Sequence, residues 1–210
     1  NLIERVALLK KEKLSEQPIE KKHKPDFEAM TFATIKGESV LFIFGSGSKP
    51  KKRDKLIVVF PERENAVKRF SLEELYNTLR ENEIGENHKL NIEATTADSK
   101  TLYLFHRGNI SGNNSVFSFP LDDFGNYILN KNEELPSYTT SSYELPAVNK
   151  IASGFSGATI LDEKRILFSA SVEDTENEID DGAVLGSFIG ILNHKSYELN
   201  CQLLKQGTTP

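Results

Sequence analysis

The chain has 210 residues, 38% hydrophobic and 27% charged, with 26 Lys and Arg against 31 Asp and Glu and a net charge of −5. That is the balance of a chain able to bury a sizeable core. Mild acidity argues against a nucleic-acid binder, whose affinity rests on neutralising phosphates, and no apolar run reaches the ~20 residues needed to span a bilayer.

In chain order, the first candidate strand is "NLIERVALL", followed by the charged connector "KKEKLSEQPIEKKHKP". A pattern then begins that occurs three times. The first unit reads "DFEAMTF", "SVLFIFGSGS", "DKLIVVF", the second "NIEATTA", "TLYLFHRGN", "NSVFSFP", and the third "GFSGATIL", "RILFSASVED", "LGSFIGIL". Glu28, Glu93 and Ser156 hold the same place in each, at intervals of 65 and 63 residues. β-Branched and aromatic runs bounded by Gly, Pro, Asn, Asp and Ser read as strands. A fourth strand candidate closes each unit: "AVKRFS", "SYTTSSYEL" and "SYELNCQLL".

Repeated units of four antiparallel strands predict an all-β fold, a β-propeller with about three complete blades and partial ends. The whole of 1–210 reads as one propeller-like domain. Propellers typically have ~4–8 blades, so the ring is expected to be incomplete, closed by further chain or by a second copy, unless the units form a curved open stack. Residues 71–85, "SLEELYNTLRENEIG", predict a helical insertion between blades. Ser71 and Glu74 have the spacing of a capping box, Leu72, Leu75, Tyr76 and Leu79 form one apolar stripe, and Gly85 supplies a stop.

The chain resembles an uncharacterised family of bacterial β-propeller-like proteins at "KPDFEAM", "FGSGSKPKKRDKLIVV", "NIEA…LFHRGN" and "SVEDTENEIDDGAVLGSFIG". More distantly it is similar to phytase-like and esterase-like propellers, in which a D/N-x-E-G/A strand opens a blade. The resemblance implies a fold and no known activity, and fold alone does not fix function.

If the blades are in register, one channel mouth collects Asp26, Glu28, Asn91, Glu93, Arg53, Asp54, Arg107, Asn109, Asn114, Glu173, Asp174, Asp180 and Asp181. Glu28, Glu93, Arg53, Arg107, Asn109 and Asn114 are the expected ligand-binding set, for a small polar or anionic ligand. Glu28 and Glu93 lie among apolar neighbours, and a carboxylate buried there needs a partner. Each either locks neighbouring blades or binds a ligand. Arg107 either grips an anion in bidentate fashion or forms a salt bridge to one of these acids.

Glu173 to Asp181 holds six carboxylates in nine residues. Such a loop is solvated, docks a protein partner, or binds a cation such as calcium, which takes roughly 6–8 oxygen ligands. Glu173, Asp174, Asp180 and Asp181 are the candidate metal ligands. It is not an EF-hand, because Ile179 would fall at a ligand place. Two functions follow. One is a binding or scaffold propeller with a carboxylate-rich mouth. The other is a calcium-dependent hydrolase of phosphate or other esters, with Glu93 or Asp174 as base and Arg107 holding the developing anion.

Other motifs carry less. "GSGSKPKKRDK" lacks the phosphate-loop pattern and its helix. "GFSGA" around Ser156 lacks the strand-to-helix turn of a nucleophile elbow. Cys201 reads as a small buried hydrophobe, and of the four histidines His106 alone adjoins a candidate site residue. No secretory signal is visible, and a start at Asn1 leaves removal of a leader open, so the expected compartment is cytoplasmic, periplasmic or secreted.

Overall fold

A computed structural model of the chain describes residues 8, 25–63, 66–108, 110, 113–130, 134–175, 182–196 and 198–204. They form a mostly β protein with two short helices. The strands are β1 (Phe27–Ile35), β2 (Glu38–Gly45), β3 (Lys55–Val59), β4 (Val67–Ser71), β5 (Ile92–Ala97), β6 (Thr101–His106), β7 (Asn114–Pro120), β8 (Thr139–Tyr143), β9 (Ala147–Val148), β10 (Ile151–Ile160), β11 (Arg165–Asp174), β12 (Ala183–Asn193) and β13 (Leu199–Leu204). Helix α1 (Glu73–Leu79) runs into a π-helical turn (Arg80–Ile84), and α2 (Leu121–Leu129) follows β7.

The strands group into antiparallel sheets in the order β1-β2-β3-β4, β5-β6-β7-β8 and β9-β10-β11-β12-β13. Each predicted unit is one sheet, and each predicted fourth strand is present. The opening strands lie together, β1 along β5 and β5 along β10. The register confirms the repeat in detail. Pairing between the first and second strands slips between Phe27 and Ala29, between Ile92 and Ala94, and between Phe155 and Gly157. Glu28, Glu93 and Ser156 therefore each sit in a β-bulge, where an extra residue bends the strand and re-aims what precedes it.

Burial follows the stacking. The middle sheet is covered on both sides, so β6, "TLYLFH", is buried from Leu102 to His106. Strands buried on both faces read as continuous apolar runs. The third sheet alternates instead: along β11, Ile166, Phe168, Ala170 and Val172 are buried while their neighbours are not. Two cores result. Leu102, Leu104, Phe117 and Phe119 pack toward the first sheet with both helices, and Tyr103, Phe105 and Val116 pack toward Phe155, Phe168 and Phe188 of the third. Met30 and Phe32 on β1 and Val184 and Ile189 on β12 are exposed. No helix among the described residues is long and apolar enough to cross a membrane.

The helices depart from expectation in two ways. Ser71 ends β4 rather than capping the helix; Leu72 takes the cap position without a side-chain cap bond, and Ser71 Oγ accepts the Glu73 N–H at 3.3 Å. The reason is that Leu72 N–H bonds the Asp54 carbonyl, which extends the sheet one residue further. Gly85 does end the element, at φ 80°, with its N–H on the Arg80 carbonyl. The second helix, α2, was not expected. It buries Leu121, Phe124 and Ile128 on one face, and Phe124 meets the rings of Phe42, Phe44 and Phe119 at 5.7–6.0 Å.

Phe124 is fully buried, so Phe124→Ala should cost about 3–5 kcal/mol. At about 2–4 °C per kcal/mol for a chain this size, the melting temperature falls by roughly 10 °C. Phe124→Leu restores most of the loss. Thermal unfolding by circular dichroism reads both.

Candidate functional site

The bulges bring the starts of β1 and β5 and the ends of β2, β6 and β11 to one end of the sheets. Asp26 precedes β1 with φ 56°, and its carbonyl accepts the Ser46 N–H at 2.9 Å. Asn91 precedes β5, and its carbonyl accepts the Arg107 N–H at 2.8 Å. The two units thus close the same way.

In the first unit, Arg53 Nη1 lies 2.5 Å from Asp26 Oδ2 and donates to Ser48 Oγ. Ser46 Oγ donates to the same Asp26 oxygen at 2.7 Å and lies 2.9 Å from Ser48 Oγ. The "GSGS" turn therefore serves as a cradle for an ion pair. Gly47 is required there: φ is 74°, and a Cβ would stand 2.8–2.9 Å from Tyr76 and Leu90. Asp54 faces the other way, paired with Arg80 of the π-helical turn. Arg80 also donates to the Gly47 carbonyl and to Asn77 Oδ1.

In the second and third units, Arg107 Nη2 lies 2.9 Å from Glu173 Oε1 at the end of β11, and Nη1 lies 3.8 Å from Glu93 Oε1. Asn91 Nδ2 donates to that Glu93 oxygen at 2.8 Å. The Glu173 contact is an ion pair out of line for a hydrogen bond, and Arg107 Nε has no hydrogen-bond partner although it is fully buried. Glu93 is held above the usual carboxylate range. Burial is the main cause, opposed by Arg107 and by the Asn91 bond, and the charges of Glu173 and Asp26 add to it. Three carboxylates from three sheets are thus close enough to influence one another.

Exposure has a direction here. The side chains of Asp26, Glu93 and Glu173 are 21%, 19% and 19% exposed, against 4% and 9% for Arg53 and Arg107. The carboxylate side chains reach solvent and the guanidinium side chains are nearly closed off from it.

Of the other predicted residues, Asn114 is buried and structural. Its Oδ1 accepts the Gly108 and Phe155 N–H groups and its Nδ2 donates to the Ser153 carbonyl, stitching the second sheet to the third. Glu28 is exposed, not buried as its apolar neighbours suggest, because the bulge turns it outward. Asp174 is exposed. Asn109, Asp180 and Asp181 lie outside the described residues. Among the described residues no group of three His, Cys, Asp or Glu is set to hold a metal ion. Ser156 Oγ is 3.0 Å from Ser169 Oγ within a strand. His106 Nδ1 accepts the Asn91 N–H, and burial lowers its pKa to about 4. Sequence reasoning missed Arg80, whose partner Asp54 lies 26 residues away.

Arg107→Met strands two partly buried carboxylates and should cost about 3–5 kcal/mol, read by urea unfolding. Glu93 has a sign of its own. An acid whose folded pKa is raised binds more protons folded than unfolded, so its contribution is present below the unfolded pKa and is lost as pH rises through the folded one. Glu93→Gln should therefore gain stability relative to wild type as pH is raised from 4 to 7. A difference that is flat, or that shrinks with pH, contradicts the assignment.

No curated protein matches the chain. The model of a family of unknown function (DUF6929) matches residues 1–209. A match over nearly the whole length places the chain in that family of unknown function, DUF6929.

Proposed function

We propose that the protein is a binding module built as part of a β-propeller. Its sheets are blades set side by side, and the mouth at Asp26, Glu93 and Glu173 is where it engages its ligand. One observation carries the reading: carboxylate side chains from three different sheets meet, each part-exposed, around two guanidinium groups that are buried. Five charged groups, three acids and two arginines, leave the mouth one negative charge in excess.

This favours a small polar ligand that presents hydrogen-bond donors, such as an amine, over an anion. An anion would have to displace Glu93 or Glu173 from Arg107 and then sit among carboxylates; like charges ~4 Å apart repel by ~4 kcal/mol at an effective dielectric near 20.

The test is thermal denaturation with putrescine, L-arginine, calcium chloride and sodium phosphate in parallel. A ligand at ten times its Kd stabilises by about 1.4 kcal/mol, or roughly 3–6 °C. We expect that shift with an amine, and its loss in Asp26→Asn and Glu173→Gln. Stabilisation by phosphate alone defeats the reading. Stabilisation by calcium, abolished by Asp174→Asn but not by Asp26→Asn, would favour a metal-dependent hydrolase instead.

A further inference from the structure

At the opposite end of the same strands, the second and third sheets diverge around a cleft of about 1020 Å³. Its walls are the β5–β6 hairpin at Asp98–Thr101, the strands β7 and β8, and the turns that follow β10 and β12. The volume is at the upper end of the range for small-molecule sites, about 300–1,000 Å³.

A hydrogen-bonded chain is built into the wall. Asp98 Oδ1 accepts the N–H groups of Lys100 and Thr101, both at 2.7 Å, which fixes the carboxylate. Tyr103 is buried, and its hydroxyl donates to Asp98 Oδ2 at 3.1 Å. The same hydroxyl lies 3.0 Å from His194 Nδ1. A carboxylate accepts and does not donate, so the tyrosine proton goes to Asp98 and the tyrosine oxygen accepts from His194. That places a proton on the imidazole Nδ1. Nε2 is buried and has no hydrogen-bond partner among the described residues.

The lining specifies the ligand's chemistry. Tyr138 and Tyr143 bring aromatic rings to the wall, and Ser118, Thr139 and Ser141 bring hydroxyls. The charges do not favour an ion. Asp162 is taken up by the N–H groups of Lys164 and Arg165 and by the Arg165 guanidinium. Asp98 is taken up as above, and Lys100 and Lys195 stand against Glu163 across the rim. Rings to stack on and hydroxyls to exchange bonds with suit a molecule that is apolar on its ring faces and rich in O–H at its edge. We propose that this cleft is a second ligand site, separate from the acidic mouth, that takes a neutral polyhydroxylated ring, a saccharide in the chemical sense.

The experiment is saturation-transfer NMR on the full chain with glucose, N-acetylglucosamine and cellobiose as probes, at up to about 10 mM, which reaches Kd values in the millimolar range. We expect transfer to at least one of them. Thr139→Trp, at an exposed position on the cleft wall, should abolish it without disturbing the core. Glu173→Gln should leave it unchanged, so failure here and failure of the acidic mouth are told apart. Absence of transfer from all three probes, or transfer that Thr139→Trp leaves intact, overturns the proposal.

Discussion

Two guanidinium groups, Arg53 and Arg107, are buried where strands from three sheets come together, and the arrangement of that whole end follows from satisfying them. A buried charge without a partner is far costlier than one that is paired. Asp26, Glu93 and Glu173 supply the partners, and each comes from a different sheet. The first sheet encloses its pair locally, with Ser46 and Ser48 completing the bonds. Arg107 instead reaches across to β11, so the second and third sheets cannot separate without exposing an unpaired carboxylate.

The supporting bonds repeat in the same spirit. Asp54, just before β3, and Asn114, the first residue of β7, occupy similar places at the entry to the third strand of their units, and both are buried. Asp54 anchors the turn after β2 and holds Arg80 of the π-helical turn. Asn114 anchors the turn after β6 and holds the start of β10. One position has thus been given two different neighbours to secure, a helix in one unit and the next sheet in the other. Between the first two sheets the same task falls to backbone, through the Ile92 N–H on the Ser46 carbonyl at 2.8 Å.

Much of this was legible in the residues. The alignment of Glu28, Glu93 and Ser156 came from spacing, and all three prove to be bulge residues. Spacing reports backbone position and not environment. Glu28 is exposed and Glu93 largely buried although they share a place in the repeat, because Asn91 and Arg107 surround Glu93. Helix α2 was hidden by the apolar strand text that runs into it. Its signals were present: Pro120 at the boundary, Asp122 and Asp123 in the first turn, and Leu121, Phe124 and Ile128 on one face. The Asp98–Tyr103–His194 chain could not be read at all, since Tyr103 and His194 are 91 residues apart.

At its second strand the middle sheet has no wet side. Its second strand is buried on both faces from Leu102 to His106, between aromatic cores contributed by its neighbours. Local fraying reaches backbone amides only where solvent can follow. The amides of Tyr103 to Phe105 would exchange with deuterium only when an adjoining sheet has come away, and so at the slowest rate in the domain. Opening the centre therefore means parting two sheets rather than fraying a strand edge, and a protease given time would cut the flanking turns long before it reached that strand.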